Sequence, residues 1–344
     1  MSTHARAESV DNGAAVDTRA VDTRSESESD ENAGAERDIS THARWEDLAR
    51  SGESLARHTT MRVGGEAQWW AEPNDEAALV AVLRAVKRDN KLLQTLGAGS
   101  NLVASDNAFD GVVLHLGRGF AWHRVEGNRL IAGAAALLPK LTKFALANDL
   151  GNFEWACGIP GSLGGSIWGN AGARGFNGRG FESRDCAADL ESLVAFDRAG
   201  EQYILRRDEI EWSYRHTSLG ELIVTEATFA LKPLAAREAL LHREAVAELL
   251  RIRRETQPAN AASAGCVWKN PQMEGCRGAG ELIERLGLKG ASVGGAQVST
   301  LHANFIINSG AATGNDVRLL MRHVEEHVLR EAGVHLEREA RLLD

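Results

Sequence analysis

No apolar run in this 344-residue chain approaches the ~18 to 20 residues that a helix needs to cross a bilayer, so a helical membrane span is excluded. The N-terminal stretch has no apolar signal core. It is acidic and rich in small residues, and a cytoplasmic protein is expected. Cysteine is scarce. Cys157, Cys186, Cys266 and Cys276 are too few in a chain this long for a disulfide framework, which predicts reduced thiols. Cys266 and Cys276 have nine residues between them and belong to no Cys-x-x-Cys unit, so no metal site is expected. Basic charge is also lacking. The net charge is −9, and residues 1–40 carry ten Asp and Glu against four Arg, which leaves −3 for the body. Such a body has no field to hold a nucleic-acid backbone. Residues 1–42 contain no Leu, Phe, Trp or Tyr, so they cannot bury enough apolar surface to offset chain entropy and read as a disordered acidic tail. Two short duplications there, Val16-Asp17-Thr18-Arg19 repeated at 21–24 and Ser2-Thr3-His4-Ala5-Arg6 repeated at 40–44, are far below the size of a solenoid unit.

The remaining chain is long enough for two or three cores. Asn74-Asp75-Glu76 reads as a helix start, with Leu79, Val80, Leu83 and Val86 at helical spacing and Lys87 and Arg88 at its end. Strands are expected at 91–96 and 112–116, giving a βαβ-like lobe over 43–117. From 118 to 238 short strands (130–131, 192–196, 203–205, 222–231) surround one helix near 140–148, a second α+β lobe. A strongly amphipathic helix is expected over 236–255, with Leu240, Leu241, Leu249 and Leu250 as its apolar residues and Gln257-Pro258 as its stop. A last helix has Thr313 as N-cap, Asp316 three residues on, an apolar stripe of Val317, Leu320, Met321, Val324 and Val328, and Gly333 as its end. A smaller domain over 239–333 follows, and 334–344 form a C-terminal segment.

Two glycine-rich stretches point to a ligand. Gly97-Ala98-Gly99-Ser100-Asn101-Leu102 follows a strand, but a dinucleotide fingerprint fails: the third glycine is missing at 102 and no helical pattern follows. On this stretch alone a plain glycine turn remains open. Gly158-Ile159-Pro160-Gly161-Ser162-Leu163-Gly164-Gly165, running on to Asn170-Ala171-Gly172, is the stronger signal. Glycines let the backbone approach a ligand, and consecutive N–H groups form a concave anion site of the kind a pyrophosphate needs. Tight turns and close strand packing are the competing reading.

Both stretches resemble flavin-binding segments of the UDP-N-acetylenolpyruvoylglucosamine reductase family (MurB), which carries a vanillyl-alcohol-oxidase type FAD-binding fold. Thr60-Met61-Arg62-Val63-Gly64-Gly65 is similar to that family's opening motif, and Ser299-Thr300-Leu301-His302-Ala303-Asn304-Phe305 to a motif of its type II branch. Ser213-Tyr214-Arg215-His216-Thr217 resembles its Tyr-Arg-x-Ser motif, with Thr217 in place of serine. Ala264-Gly265-Cys266-Val267-Trp268-Lys269-Asn270-Pro271 resembles its proton-donor motif, with Cys266 where serine is usual. Leu336-Glu337-Arg338-Glu339-Ala340 resembles its C-terminal Leu-Glu-x-Glu-Val motif. The resemblance spans about 57–341. It implies an α+β fold: a two-lobed FAD-binding (PCMH/VAO-type) domain, 43–117 and 118–238, followed by a smaller α+β substrate-binding domain, 239–333, and a segment, 334–344, that returns to the active site.

The resemblance further implies non-covalent FAD, NADPH as co-substrate, and reduction of the enol ether of UDP-N-acetylglucosamine enolpyruvate to UDP-N-acetylmuramate, a step of peptidoglycan precursor synthesis. FAD contacts are expected from Arg62, Gly97, Gly99, Ser100, Asn101, Gly158, Ile159, Pro160, Gly161, Gly164, Gly165, Asn170, Ala171 and Gly172. Substrate contacts are expected from Tyr214, Lys269 and Asn270. Such a reaction needs a hydride carrier, fixed charge where the carbanion develops, and a proton donor. By resemblance Arg215 stabilises charge, Cys266 gives the proton, and Glu339, protonated, orients or polarises the enolate. An unperturbed thiol titrates near ~8.5 and is a stronger acid than an alcohol, so cysteine is a permissible donor, and an alkaline limb from Cys266 is expected. Two other readings stay open on sequence: another oxidoreductase on the same FAD fold, and a non-catalytic flavin- or nucleotide-sugar-binding paralogue, for which the ending Leu342-Leu343-Asp344 and the changes at 266 and 340 speak.

Overall fold

The computed structural model describes residues 43–344. The tail expected over 1–42 lies outside the described residues. Among the described residues no helix is long and apolar enough to cross a membrane.

The first sheet is the βαβ unit the spacing predicts. Strands Glu66–Ala71, Phe109–Leu114 and Leu93–Thr95 run parallel, and Arg50–Ser54 adds an antiparallel edge. The crossover is helix Glu76–Arg88. Its N-cap Asp75 accepts from the Ala78 N–H at 2.8 Å, and it buries Leu79, Val82, Leu83, Ala85 and Val86. A second sheet of five antiparallel strands follows, in the order Gln202–Arg206, Leu190–Phe196, Ile223–Ala230, Arg129–Gly133, His123–Glu126. Helix Leu138–Ala147 lies near its expected place; helix Leu163–Trp168, within the second glycine stretch, is an addition to the sequence reading. Leu83, Val112, Leu130, Leu141, Leu163, Leu193 and Phe229 belong to one continuous core, so the two sheets pack as a unit.

A third, four-stranded antiparallel sheet has the order Ala262–Cys266, Phe305–Asn308, Ala296–Val298, Ser292–Val293. Helices Ala279–Arg285 and Gly314–Ala332 contribute Ile283, Leu320 and Val324 to its core. The cap of the last helix matches expectation: Thr313 Oγ1 accepts from Asp316 N, the Thr313 N–H donates to Asp316 Oδ2, and Gly333 is left-handed at φ +68°. This core also takes in Met61, Val63 and Val103. The opening motif is thus held from two sides: Thr60 Oγ1 donates to Ser263 O at 2.7 Å and Asn308 Nδ2 to Met61 O at 3.1 Å. Strand Arg341–Leu343 closes the molecule by pairing in parallel with Leu102–Ala104, directly after the first glycine loop.

One expectation fails. Helix Ala236–Thr256 forms where expected but does not bury the leucines at its start: Leu240 is 58 % and Leu241 44 % exposed, while Ala239, His242 and Ala245 face inward. Small residues let this helix come close to strand Leu150–Gly151, where a methyl at Gly151 would meet the His242 ring at 2.9 Å. His242 Nδ1 is 2.7 Å from Glu154 Oε1, and both side chains are 1 % exposed. A polar pair has taken the position that a leucine stripe would otherwise fill.

Candidate active site

The first glycine loop is shaped by contact with its neighbours. A methyl on Gly97 would lie 2.3 Å from Ser162 Oγ, so the second glycine stretch sits directly against the first. Gly99 has φ +60°, and a methyl there would lie 1.9 Å from the carbonyl oxygen of His58. Arg62, from the same turn, is held at φ +58°, a left-handed conformation that side chains rarely take. Among the described residues none accepts a hydrogen bond from the backbone N–H of Gly97, Ala98, Gly99, Ser100 or Asn101. Five consecutive free donors in a cramped loop suit an anion such as a pyrophosphate.

The second stretch is anchored on the five-stranded sheet. The Gly164 N–H donates to Ala134 O at 2.9 Å, Gly161 O accepts from Leu138 N at 3.1 Å, and the Ile159 N–H donates to Ala156 O at 3.2 Å. Pro160 is exposed at the loop tip, between Ile159 and Gly161. Gly165 O accepts from Gly169 N, the Ala171 N–H donates to Ser166 O, and Gly172 begins strand Gly172–Phe176. Asn170, at the helix exit, is 3 % exposed with φ +41°. Its Nδ2 donates to Ser213 O at 2.9 Å and Asp185 Oδ2 at 3.3 Å, while its Oδ1 is buried without a partner. A buried acceptor left open beside a glycine cradle fits a ligand that offers an N–H.

Asn170 also ties this stretch to the next element. Strands Trp212–Ser213 and His216–Thr217 pair, leaving Tyr214 and Arg215 as the turn. Arg215 is held at φ +60°, the third non-glycine site residue, after Arg62 and Asn170, in the left-handed region. Thr217 Oγ1 donates to Trp168 O at 2.8 Å, so the threonine supplies a hydroxyl where serine is usual. From the turn, Arg215 Nε reaches Glu339 Oε1 at 2.5 Å.

Backbone pairing brings Glu339 to Cys266. The Glu339 N–H donates to Val267 O at 2.8 Å and the Ala340 N–H to the same oxygen at 3.1 Å. Asn101 Nδ2 donates to Glu339 O at 3.1 Å, and Asn101 O accepts from Arg341 N at 2.9 Å. The first glycine loop, the cysteine strand and the C-terminal segment therefore meet around one carboxylate. Burial raises the Glu339 carboxyl above the usual carboxylate range, although Arg215 pulls the other way. Burial, then the Glu339 charge, push the Cys266 thiol up to about 12, against the pull of Arg215 and Arg253. The thiol thus keeps its proton near neutrality with Arg215 and Arg253 acting on it, and the Glu339 carboxyl is shifted in the same upward direction. The expectation of a thiol limb near its ordinary value is corrected by this burial.

Arg253 carries no sequence motif and was missed. Its side chain lies against Gly158, close enough that a methyl there would meet Arg253 Cδ at 2.6 Å. Among the described residues its guanidinium has no hydrogen-bond or ion-pair partner, and burial lowers its pKa. The signal that could have found it is periodicity: Arg253 is eleven residues, close to three turns, beyond the buried His242 on one helix, so both share a face. Trp168 was also missed. Its ring is 37 % exposed, is held by Nε1 donating to Gly220 O at 2.8 Å, and carries the Arg341 guanidinium 4.9 Å from its centroid.

The expected substrate residues line one edge. Tyr214 is 53 % exposed, and its ring carries the Arg215 guanidinium 5.2 Å from its centroid. Lys269 Nζ is 2.5 Å from Glu337 Oε1. Asn270 Oδ1 accepts from Ala279 N at 3.1 Å at the start of helix Ala279–Arg285, which fixes the side chain and leaves its amide nitrogen available. The histidine motif is a scaffold. His302 Nδ1 accepts from Asn304 N, and the buried Asn304 side chain bonds both the N–H and the carbonyl of Trp268, at 2.9 and 2.8 Å.

Comparison with known proteins bears on the family and the fold. Residues 257–343 match the UDP-N-acetylenolpyruvoylglucosamine reductase, C-terminal domain family, and residues 67–194 match an FAD binding domain. A UDP-N-acetylenolpyruvoylglucosamine reductase of Heliobacterium modesticaldum is 39% identical over 297 residues, covering 85% of this chain and 89% of the relative. UDP-N-acetylenolpyruvoylglucosamine reductase 2 of Symbiobacterium thermophilum is 41% identical over 295 residues, with 85% and 91% covered. The crystal structure of the Thermus caldophilus reductase superposes with a TM-score of 0.71 at 33% identity, covering 86% of this chain and all of that one.

Proposed function

The chain belongs to the UDP-N-acetylenolpyruvoylglucosamine reductase family, and from that premise we propose how its own residues perform the reaction. It is an FAD-dependent oxidoreductase of peptidoglycan precursor synthesis that uses NADPH and reduces the enolpyruvyl group of its sugar-nucleotide substrate. FAD, when bound, supplies the hydride chemistry that no side chain can. In our reading the free N–H groups of 97–101 hold its pyrophosphate, with Arg62 at the same turn. Gly158, Ile159, Pro160, Gly161, Gly164 and Gly165 line the cradle, Asn170 Oδ1 accepts an N–H, and Ala171 and Gly172 complete that wall. The unpaired donors and the unpaired Asn170 oxygen support this assignment.

The substrate's enolpyruvyl carboxylate is placed beside Arg215. As the α-carbon gains electron density, the guanidinium and the neutral Glu339 carboxyl stabilise the enolate by charge and hydrogen bonding. Cys266 Sγ then delivers its proton to the α-carbon. The thiolate left behind lies between Arg215 and Arg253 until a solvent proton restores it. Tyr214, Lys269 and the Asn270 amide nitrogen contact the sugar nucleotide. The observation that carries this reading is the Arg215–Glu339 contact at 2.5 Å beside Cys266, three residues far apart in sequence. We further read 43–117 and 118–238 as the two cofactor-binding lobes, 239–333 as the substrate-binding domain and 334–344 as the returning segment. Four unpaired cysteines support a cytoplasmic setting.

The test is NADPH oxidation by the purified holoenzyme with and without the enolpyruvyl sugar nucleotide. Oxidation that depends on that substrate, and is lost in Cys266→Ala, is expected. Oxidation indifferent to the substrate overturns the reading.

A further inference from the structure

The backbone contact that brings Glu339 to Cys266 is short. Residues 333–337 have no regular structure, and Arg338 joins Trp268 through an isolated antiparallel bridge. Beside it the Glu339 and Ala340 N–H groups bond Val267 O and the Lys269 N–H bonds Glu337 O; Asn101 Nδ2 also donates to Glu339 O, and strand Arg341–Leu343 pairs with Leu102–Ala104 just beyond. Pairing this brief is weakly specified, and a slip of one residue would turn Glu339 to the opposite face. The downstream strand holds the end of the segment, and something further holds the bridge itself.

The side chains at the bridge show what does. Trp268, 0 % exposed, donates its indole N–H to Glu325 Oε1 at 2.9 Å. Arg338 donates to the same carboxylate through both ends of its fork, Nε to Oε1 and Nη2 to Oε2, each at 2.6 Å. Glu325 is on helix Gly314–Ala332, whose apolar stripe (Leu320, Met321, Val324, Val328) is buried in the third core. One carboxylate on a rigid helix therefore grips both partners of the bridge: the residue two after Cys266 and the residue before Glu339. Alternation along the extended segment sends Arg338 toward this helix and Glu339 the other way, toward Arg215.

We propose that Glu325 is a positioning residue that fixes the register of the Glu339 segment against the Cys266 strand, so that acid and proton donor stay aligned on one substrate. This rests on the assignment of Cys266 and Glu339 given above. Glu325 touches neither and acts through Trp268 and Arg338.

The test uses the full-length holoenzyme and three variants. Glu325→Ala removes all three hydrogen bonds, Glu325→Gln keeps one acceptor oxygen but loses the charge and the second acceptor, and Trp268→Phe keeps an aromatic ring in the core but loses the indole bond and some volume. In Glu325→Ala, amide hydrogen exchange at Lys269, Glu339 and Ala340 should quicken about tenfold or more, while amides of Leu190–Phe196 stay unchanged. Its kcat should fall about 10- to 100-fold with KM for the sugar nucleotide within about threefold, because alignment and not binding is lost. Glu325→Gln and Trp268→Phe should lie between it and the parent. Unchanged local exchange in Glu325→Ala, or faster exchange with an unchanged kcat, overturns the proposal. Cys266→Ala, run alongside, separates the two ideas. If it abolishes reduction while Glu325→Ala leaves kcat unchanged, the clamp alone falls; if it retains full kcat, the donor assignment falls and the clamp with it.

Discussion

The half-buried thiol of Cys266 makes a prediction that a sequence reading would state with the wrong pH. A free cysteine at ~8.5 would be ~97 % ionised at pH 10, and a donor that has lost its proton cannot give it, so the rate would drop ~30-fold. With Cys266 pushed up to about 12, only ~1 % is ionised at that pH, and the thiol imposes almost no loss. The perturbation is Cys266→Ser, which removes the thiol titration and keeps a hydroxyl donor. The assay is single-turnover reduction of the enolpyruvyl sugar nucleotide by the pre-reduced holoenzyme from pH 6 to 10.5. The parent and Cys266→Ser should show the same alkaline limb, set by another group. Cys266→Ala should lose about 10²- to 10⁴-fold at every pH, the usual cost of a missing general acid. Alkylation of Cys266 in the parent should also be ~10³-fold slower than a free thiol at the same pH, following its thiolate fraction. An alkaline limb near pH 8.5 in the parent that vanishes in Cys266→Ser would refute the argument from burial.

The limb that does remain should belong to Glu339. Its carboxyl is raised by burial, so the protonated, competent form persists above the ordinary carboxylate range and activity falls as pH rises through that raised value; Glu339→Gln should abolish the limb. Arg215 opposes the shift, so in Arg215→Gln the residual activity should keep its limb but move it to higher pH, and a move to lower pH contradicts the pairing. Gly99→Ala and Gly265→Ala both place a side chain at positive φ, yet only the first clashes with backbone, at 1.9 Å from His58 O against 3.9 Å from Ser100 O. Urea unfolding should show a loss of about 1 to 2 kcal/mol for Gly265→Ala and more than about 3 kcal/mol, or no folding, for Gly99→Ala. His242→Leu should cost about 3 to 5 kcal/mol by leaving Glu154 buried and alone, whereas His242→Leu with Glu154→Met should cost less than the two single changes summed. Additive single effects below ~1 kcal/mol, measured by denaturant titration, would show that the pair is not coupled.

Local signals in the chain were dependable where their physics is local. Helical spacing and capping residues placed Glu76–Arg88 and Gly314–Ala332, because caps and apolar stripes act within a few residues. Leu240 and Leu241 misled because which face of a helix is buried depends on the neighbour it meets: here Gly151 and Glu154 admit His242. The glycine stretches and the Arg215, Cys266 and Glu339 motifs were legible as chemistry, since residue type alone determines what a guanidinium, thiol or carboxyl can do. Their convergence was not legible. Arg215 and Glu339 are 124 residues apart, and only the strand pairing of 338–343 with 102–104 and 267–269 brings them to 2.5 Å. Arg253 and Glu325 had no motif at all, because a role defined by proximity leaves no mark in one sequence. The sequence by itself therefore determined the family, the fold class and the kinds of group available. The tertiary structure alone decided which way Cys266 and Glu339 are shifted from their ordinary acidities, because both depend on how much water and which charges surround each group.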